Sequence, residues 1–285
     1  MTKLAIMSDL HIDLNNFGDF EITTLIQTLQ CQGIDWLHLA GDISNHHFST
    51  SVPFLEKMAK HFKTTYSLGN HDMLDLSEKE IQANDFQCYD LGDKVFIAFQ
   101  GWYDYSFVPD KSEEENRRFK NRFWFDRRLN RPYSDPELTQ NICQKLDKIL
   151  SQQTKPIIIA MHFVPHRDFS LSHKTLMPFN AFLGSQAFHE IFKRYSVTDV
   201  VFGHSHRPYS TCTIDTIHYH SRPLGYIREW HLTIDYVNKH PHLNPSGTWN
   251  LSKRYHLVKR LPEFHDYLQK QLPNEFLRAM TVFDY

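Results

Sequence analysis

The chain has 285 residues, of which 41% are hydrophobic and 22% are charged, as is typical of a globular protein with a large core. Its 31 basic and 33 acidic side chains leave a net charge of -2, so there is no overall positive field to attract nucleic acid or anionic lipid. These values exclude a disordered or fibrous chain. We expect any anionic ligand to be held by a local group of residues.

The cysteine pattern and the N-terminal residues indicate in which cellular compartment the protein is found. The four cysteines are far apart and form no C-x-x-C pair: Cys31, Cys88, Cys143 and Cys212. This spacing fits neither a disulfide framework nor a thiolate zinc site, so we predict reduced, buried thiols. The apolar run in MTKLAIMSDLHID is too short for a signal peptide, and no later segment has the length of a membrane span. We therefore expect a cytoplasmic protein without a membrane partner.

Short apolar segments alternate with helical patterns from the N-terminus to Pro208. The predicted strands are KLAIMSD, DWLHLAGD, TTYSLGN, KVFIAFQG, PIIIAMH and TDVVFGH. The predicted helices cover residues 21–32, 53–62, 136–151 and 180–195. This alternation predicts an α/β sheet covered on both faces. After Pro208, YSTCTIDTIHYHSRPLGY and EWHLTIDYV predict further strands without helices between them, so we expect a mixed sheet or a two-sheet sandwich flanked by helices.

Two segments stand apart from this alternation. Residues 102–135 are rich in aromatic and basic side chains and predict an inserted helical cap, whereas residues 261–285 predict a C-terminal extension with a helix and a tail. Phe119 and Phe123, four positions apart, suit the apolar face of an amphipathic helix that covers the core. The alternative is a lid whose arginines contact a phosphate while an aromatic ring stacks on the substrate. We expect residues 1–285 to form a single domain.

Most of the predicted strands end in residues that ligate metals or carry protons. In chain order these are Asp9 and His11, then Asp42, then Asn70, His71 and Asp72, then His162, and finally His204 and His206. Side chains beyond the carboxyl ends of strands in an α/β sheet converge on one crevice. Carboxylates combined with imidazoles suit Mn, Fe, Co or Zn. The candidates are too many for one ion and fit a pair of ions about 3.5–4 Å apart.

The ordered motifs D-x-H, GD, GNHD, H and GHxH resemble the calcineurin-like metallophosphoesterase family, over residues 1 to about 208. The resemblance implies a four-layer α/β/β/α sandwich and two divalent ions, Mn, Fe or Zn. It implies that the first ion is held by Asp9, His11 and His206, that the second is held by Asn70, His162 and His204, and that Asp42 bridges them.

The resemblance also implies that metal-activated water hydrolyses a phosphoester. His71 would protonate the leaving oxygen or stabilise the transition state, with Asp72 or Asp42 orienting it. We regard His166, four residues after His162, as a candidate substrate contact. Arg207, next to the second histidine pair, is another.

Departures from known branches of the family narrow the substrate. GDISNHH lacks the DRG extension of Ser/Thr protein phosphatases, and Asn45 stands where purple acid phosphatases place a metal-binding tyrosine. We therefore predict a phosphoesterase of the bacterial type that acts on a phosphodiester of a nucleotide or small molecule, and no nucleic-acid partner. The alternative is a phosphomonoesterase for a small metabolite. A non-catalytic scaffold on the same fold is the alternative of another class, and the intact ligand set and His71 favour the enzyme.

Overall fold

Ten strands form two β-sheets in the computed structural model, which describes residues 2–285. They are β1 (Lys3–Met7), β2 (Trp36–Ala40), β3 (Lys63–Ser67), β4 (Gln87–Asp90), β5 (Val95–Phe99), β6 (Ile157–Met161), β7 (Val197–Phe202), β8 (Tyr209–Ile214), β9 (Ile217–Ser221) and β10 (Thr281–Asp284). The first sheet has the order β10-β1-β2-β3 and the second the order β4-β5-β6-β7-β9-β8.

Nine α-helices occur within the same described range. They are α1 (Asp19–Cys31), α2 (Val52–Ala59), α3 (Glu78–Ala83), α4 (Glu113–Phe123), α5 (Asp135–Leu150), α6 (Gln186–Phe192), α7 (His231–Lys239), α8 (Leu251–Val258) and α9 (Pro262–Arg278). Several begin with a capping box. In α5, for example, the Ser134 hydroxyl accepts a hydrogen bond from the Glu137 backbone N–H while the Glu137 carboxylate accepts one from the backbone N–H of Ser134.

The strands that carry the site motifs run parallel. β1 pairs with β2 and β2 with β3 in one sheet, whereas β5, β6, β7 and β9 form the parallel part of the other. The remaining strands β4, β8 and β10 are antiparallel to their neighbours. Consequently the carboxyl ends of β1, β2 and β3 lie at one edge of the first sheet, and those of β6 and β7 lie at one edge of the second.

The core has three apolar layers. A central cluster between the sheets joins Leu4, Ile6 and Trp36 of the first sheet to Phe96 and Ile158 of the second. The opposite face of the first sheet packs against α1, α2, α7 and α9, and that of the second sheet against α5 and α6. This arrangement confirms the predicted four-layer α/β/β/α sandwich.

The secondary-structure prediction was least accurate after Pro208. All six predicted strands are present, and three of the four predicted helices match α1, α2 and α5 to within a few residues. The helix predicted over residues 180–195 is divided into a 3-10 segment, Met177–Phe182, and α6. EWHLTIDYV is not a strand, because its buried residues Leu232, Tyr236 and Val237 follow a helical spacing in α7.

The cysteine prediction also needs a correction. All four thiols are free, but Cys31 and Cys88 are exposed. No helix within residues 2–285 combines the length and the apolar character that crossing a bilayer requires.

The two segments set apart in the sequence have defined structures. Residues 102–135 contain α4 and a 3-10 turn, Phe125–Arg128. Residues 261–285 contain α9, as expected, but the predicted tail is strand β10. That strand pairs antiparallel with β1, with Asp284 opposite Lys3 and Thr281 opposite Ile6.

Candidate metal centre

The seven predicted metal ligands converge from the two sheets on one crevice. From the first sheet come the residues that follow β1, β2 and β3, namely Asp9, His11, Asp42 and Asn70. From the second sheet come those that follow β6 and β7, namely His162, His204 and His206. All are buried except His206, which is partly exposed.

Five of these ligands have backbone conformations that non-glycine residues seldom adopt. The φ angles are 58° for Asp9, 42° for His11, 57° for Asp42, 66° for His204 and 50° for His206. Hydrogen bonds hold the turns: the Asp9 N–H donates to the Gly41 carbonyl at 3.0 Å, and the His204 N–H to Asp9 Oδ1 at 3.0 Å. The strained turns direct the side chains back over the sheet ends.

Two glycines allow the backbone to approach the carboxylates. A Cβ atom on Gly69 would lie 2.2 Å from Asp42 Oδ1, and one on Gly203 would lie 2.2 Å from Asp9 Oδ2. Both distances are far below contact, so any side chain at these positions would displace a ligand. The glycines that precede Asn70 and His204 in the sequence motifs are therefore required by packing.

One cluster combines two carboxylates and two imidazoles. Single ligand atoms of Asp9, His11, Asp42 and His206 all lie within 4.8 Å of one another. His11 Nε2 is 3.0 Å from His206 Nε2, and His206 Nε2 is 3.3 Å from Asp9 Oδ1. His11 Nε2 is 3.7 Å from Asp42 Oδ2.

A second cluster shares Asp42 with the first. Ligand atoms of Asp42, His162 and His204 lie within 4.8 Å of one another. His162 Nε2 is 3.3 Å from Asp42 Oδ2, 3.2 Å from His204 Nδ1 and 3.1 Å from Asn70 Oδ1. Asp42 is thus the residue that the two clusters have in common.

The outer nitrogen of three imidazoles faces a hydrogen-bond acceptor. His206 Nδ1 is 2.8 Å from Glu229 Oε2, His204 Nε2 is 3.0 Å from the Phe182 carbonyl, and His162 Nδ1 is 3.1 Å from the Ala40 carbonyl. These partners fix a proton on the outer nitrogen, so that the inner nitrogen is the one that can offer a lone pair to a cation in the crevice. Inner nitrogens that face one another at close range, with carboxylates beside them, suit ligation of two divalent cations.

The electrostatics of the clusters agree with this use. Burial disfavours the charged form of Asp9, but its hydrogen bond with His206 and the charge of His162 outweigh burial and lower its pKa to about 2. Burial likewise opposes charge on His206, yet Asp9 and Glu229 raise its pKa to about 10. These carboxylates therefore hold a positive charge at the crevice, and a divalent cation bound there would compete with the proton.

His71 does not belong to either cluster but lies beside them. Its Nδ1 is 2.8 Å from Asn45 Oδ1, and its Nε2 is 4.0 Å from Asp42 Oδ2. Asn45 in turn donates from its amide Nδ2 and its backbone N–H to Asp13 Oδ2, at 2.9 and 3.0 Å. The imidazole is stacked on the Phe125 ring at a centroid distance of 3.7 Å.

Asp72 has a different position from the one expected. Its carboxylate accepts the backbone N–H groups of Asp42, Ile43 and Gly69 at 2.7, 2.9 and 2.8 Å and so ties the loops after β2 and β3 together. Burial, reinforced by the charge of Asp42, raises its pKa to about 7. Asn45, not Asp72, makes the contact with His71 Nδ1.

Of the two predicted substrate contacts, Arg207 lies beside the crevice and His166 does not. His166 does not line the crevice; its ring packs edge-on against His189 at 4.5 Å, and its Nδ1 accepts the Asp168 N–H. The prediction for His166 is therefore not supported. Arg207 lines a groove next to the crevice, together with His206.

Four residues around the site were missed in the sequence. Asn45 follows Asp42 by three positions, a spacing at which the sequence motif indicates only that the tyrosine of purple acid phosphatases is missing. Asp126 accepts a hydrogen bond from Asn70 Nδ2 at 2.7 Å, and Phe125 stacks on His71. Both lie in the segment predicted as a cap, whereas no sequence signal marks Glu229.

A cavity of about 450 Å³ opens above the clusters and His71. Its wall is mostly apolar and includes Phe123, Trp124, Phe125, Leu176, Phe179 and Tyr226. Among the described residues 2–285, none of those that line it is a lysine or an arginine.

The chain is similar in structure to known phosphoesterases. A phosphopantetheinyl hydrolase from Mycobacterium tuberculosis superposes with a TM-score of 0.62 and 18% sequence identity, covering 80% of this chain and 91% of that one. A dimetal phosphatase from Danio rerio gives a TM-score of 0.50 and 15% identity, covering 78% of this chain and 87% of that one. Identities this low show a shared fold. Among curated protein sequences, none matches this chain significantly.

The family assignment rests on a sequence model. Residues 2–208, which contain all seven ligands and His71, match the model of the calcineurin-like phosphoesterases. The chain therefore belongs to the calcineurin-like phosphoesterase family and is a metal-dependent phosphoester hydrolase.

Proposed function

We propose that the protein hydrolyses a phosphodiester of a nucleotide or another small molecule at the two-metal site. The observation that carries this proposal is the apolar cavity above the clusters, whose lining within residues 2–285 contains no lysine or arginine. A phosphodiester carries one negative charge, whereas a phosphomonoester carries close to two at neutral pH. Beyond the metal site, the wall offers no lysine or arginine to offset a second negative charge. This favours the diester, whose second ester arm is less costly to transfer from water than a second charge.

The aromatic lining also suits an ester arm. Trp124, Phe125 and Tyr226 line the cavity and give its wall an aromatic, apolar character. A nucleobase or another unsaturated leaving group would fit such a wall. A phosphomonoester of a small, strongly hydrated metabolite would gain little from contact with this apolar wall.

The ligand set indicates the metals. Asp9, His11, Asp42 and His206 would hold one ion and Asp42, Asn70, His162 and His204 the other, and this mixture of imidazole and oxygen donors favours Mn, Fe or Zn over Mg or Ca. Bound there, two divalent ions would supply an acidified water and neutralise charge on the phosphoryl oxygens.

His71 is the chain's own acid in this proposal. The Asn45 oxygen accepts the proton of His71 Nδ1, so the other ring nitrogen, Nε2, faces the cavity and Asp42. As the oxygen of water bonds to phosphorus, the bond from phosphorus to the ester oxygen breaks. In its protonated form, His71 can give the Nε2 proton to that departing oxygen.

The first test compares two chromogenic esters. Metal-stripped protein reloaded with Mn²⁺ is assayed on bis(p-nitrophenyl) phosphate and p-nitrophenyl phosphate, with Asp42→Asn as the control. We expect faster cleavage of the diester and loss of that activity in the control. Faster cleavage of the monoester would instead support a phosphomonoesterase. No cleavage of either ester, with two metals bound, would support a scaffold.

The second test concerns His71. We expect His71→Ala to retain both metals but to lower kcat by about 10²-fold or more, because general acid catalysis typically contributes that much. Elemental analysis of the purified variant measures the metal content, and steady-state kinetics measures kcat. A variant with wild-type kcat would remove His71 from the mechanism.

A further inference from the structure

A second groove continues from the metal site toward the C-terminal helices. It has a volume of about 870 Å³ and shares Ser205, His206 and Glu229 with the apolar cavity. One bound molecule can therefore occupy both spaces, with its reacting phosphorus at the junction above the clusters.

Three arginines line this groove. Arg207 follows the ligand His206 directly, Arg222 follows β9, and Arg278 is the last residue of α9. Arg222 and Arg278 are exposed, and Arg207 is half-buried. Within residues 2–285 the arginines that form salt bridges are others, namely Arg117, Arg118, Arg131, Arg194 and Arg228. The three guanidinium groups thus retain donors for an anion.

The carboxylates of the groove do not neutralise these arginines. Glu229 Oε2 is 2.8 Å from His206 Nδ1 and also accepts the Tyr226 N–H at 3.0 Å. The Glu275 carboxylate accepts the N–H groups of His231 and Leu232, at 2.8 and 2.9 Å, at the N-terminus of α7. Neither acid forms a salt bridge with the three arginines, and three guanidinium groups outnumber two carboxylates in the lining, so the groove carries a net positive charge.

Hydrogen bonds hold the backbone of Arg207 and the guanidinium of Arg222 in place. The Arg207 N–H donates to Ser205 Oγ at 3.3 Å, and the Arg207 carbonyl accepts the Ser221 hydroxyl at 3.0 Å. Arg222 Nη1 donates to the Met280 carbonyl at 3.2 Å. The Arg222 guanidinium, whose position is fixed, loses less conformational entropy when it binds an anion.

We propose that this groove binds a second phosphate, carried on one arm of the substrate, while the other arm occupies the apolar cavity. The inference rests on the proposed phosphodiester hydrolysis and narrows it to diesters that bear a separate phosphate group. Guanidinium groups recognise phosphate through paired, charge-assisted hydrogen bonds. Because no lysine or arginine lines the apolar cavity, this groove is the place for the additional charge.

The test uses two esters that differ in one phosphate. Thymidine 5′-(p-nitrophenyl phosphate) and its 3′-phosphorylated derivative share the same scissile bond and the same aromatic leaving group. With the Mn²⁺-loaded protein, we expect the 3′-phosphate to lower KM by about tenfold or more, as expected for charge-assisted hydrogen bonds. The advantage should disappear in Arg207→Gln/Arg222→Gln/Arg278→Gln. It should persist in Arg260→Gln, a control at an exposed position outside both cavities.

A binding measurement separates this inference from the proposed activity. Calorimetry compares thymidine 3′,5′-bisphosphate with thymidine 5′-phosphate on the metal-loaded protein, without any turnover. Tighter binding of the bisphosphate, lost in the triple variant, supports the groove even if neither ester is hydrolysed, an outcome that would refute the diesterase alone. Equal binding of the two nucleotides, or a preference that survives the triple substitution, would overturn the inference.

Discussion

Asn45 determines which nitrogen of His71 carries a proton. A carboxylate only accepts hydrogen bonds, so the contact with Asp13 places the Asn45 Nδ2 on that side and its Oδ1 toward His71. The His71 Nδ1 must then donate, and Nε2 is directed at the cavity. Asn45 is a positioning residue, because it acts on the reaction through the imidazole.

We predict that Asn45→Ala lowers kcat by about 10–10²-fold, since His71 loses its fixed orientation. Metal content and the free energy of unfolding should change little. Exchanging the pair, as Asp13→Asn with Asn45→Asp, keeps an acceptor at His71 and should restore most of the lost kcat. Steady-state kinetics of the three proteins checks this, and a wild-type kcat in Asn45→Ala would contradict it.

At the level of single residues, sequence patterns located the side chains that converge in the two clusters but not the residues that support them. Asp9, His11 and the other ligands stand at fixed spacings after apolar strands, and those spacings are visible in the chain. Glu229 and Asp13 act only through proximity in the folded state, 23 residues after His206 and 29 before Asp42 respectively. Asp72 lies next to His71 in sequence, but the turn sends its side chain to backbone N–H groups instead.

Among the secondary-structure elements, α7 and its contact with α9 were the least predictable from the sequence. Thr, Ile, Tyr and Val in EWHLTIDYV favour a strand by composition, but the helix buries Leu232, Tyr236 and Val237 against α9 and the first sheet. Glu275 of α9 caps α7 by accepting the N–H groups of His231 and Leu232. A capping residue 43 positions away from its helix leaves no local pattern.

This capping contact predicts a pH dependence of stability. Burial raises the pKa of Glu275 above its ordinary value of 4.5, although the two N–H donors oppose the shift. The folded state therefore binds the proton more tightly than the unfolded state. The contribution of Glu275 to stability is greatest below about pH 4.5 and declines as the pH rises through its raised pKa.

Glu275→Gln removes this titration. We expect the difference in unfolding free energy, wild type minus variant, to fall between pH 4 and pH 7. Urea denaturation at several pH values measures it. A difference that is constant or that grows with pH would show that Glu275 is not protonated preferentially in the folded protein.

At the scale of the whole molecule, the candidate metal centre lies where the two sheets meet. Asp9, His11, Asp42 and Asn70 come from the first sheet, and the three remaining histidines come from the second. Each cluster draws ligands from both sheets. Ions bound there would link the layers at one edge of the sandwich, in addition to the apolar contacts between them.

We therefore predict that removing the metals with a chelator lowers the thermal stability. A ligand present at 100 times its Kd stabilises the folded state by about 2.7 kcal/mol, which corresponds to a loss of several degrees in Tm on removal. Readdition of Mn²⁺ or Zn²⁺ should restore Tm in the wild type and only partly in Asp42→Asn. Calorimetric scans measure the effect. Identical scans with and without chelator would contradict a metal link between the sheets.

The overall architecture was accessible from sequence because the alternation of strands and helices, and the order of the motifs, both extend over most of the chain. The pairing of β10 and the contacts of residues 102–135 with the site could not be predicted from the sequence. β10 gains its partner β1 only when the chain ends meet, and the contacts of Phe125 and Asp126 with the site depend on how residues 102–135 fold back over it. Such long-range contacts have no periodic signature.

The position of Trp124 gives the centre an optical reporter. Its ring lies edge-on to the ligand His204, with centroids 5.8 Å apart, and its Nε1 donates to Asp126, which also accepts from the ligand Asn70. The indole thus adjoins two residues that we propose as ligands of the same ion. Its ultraviolet emission is therefore placed to change when that position is filled, and a paramagnetic ion such as Mn²⁺ would quench it. Occupancy of the two positions could then be followed separately. Tryptophan fluorescence would report on the ion next to Trp124, and elemental analysis would report the total metal content of both positions.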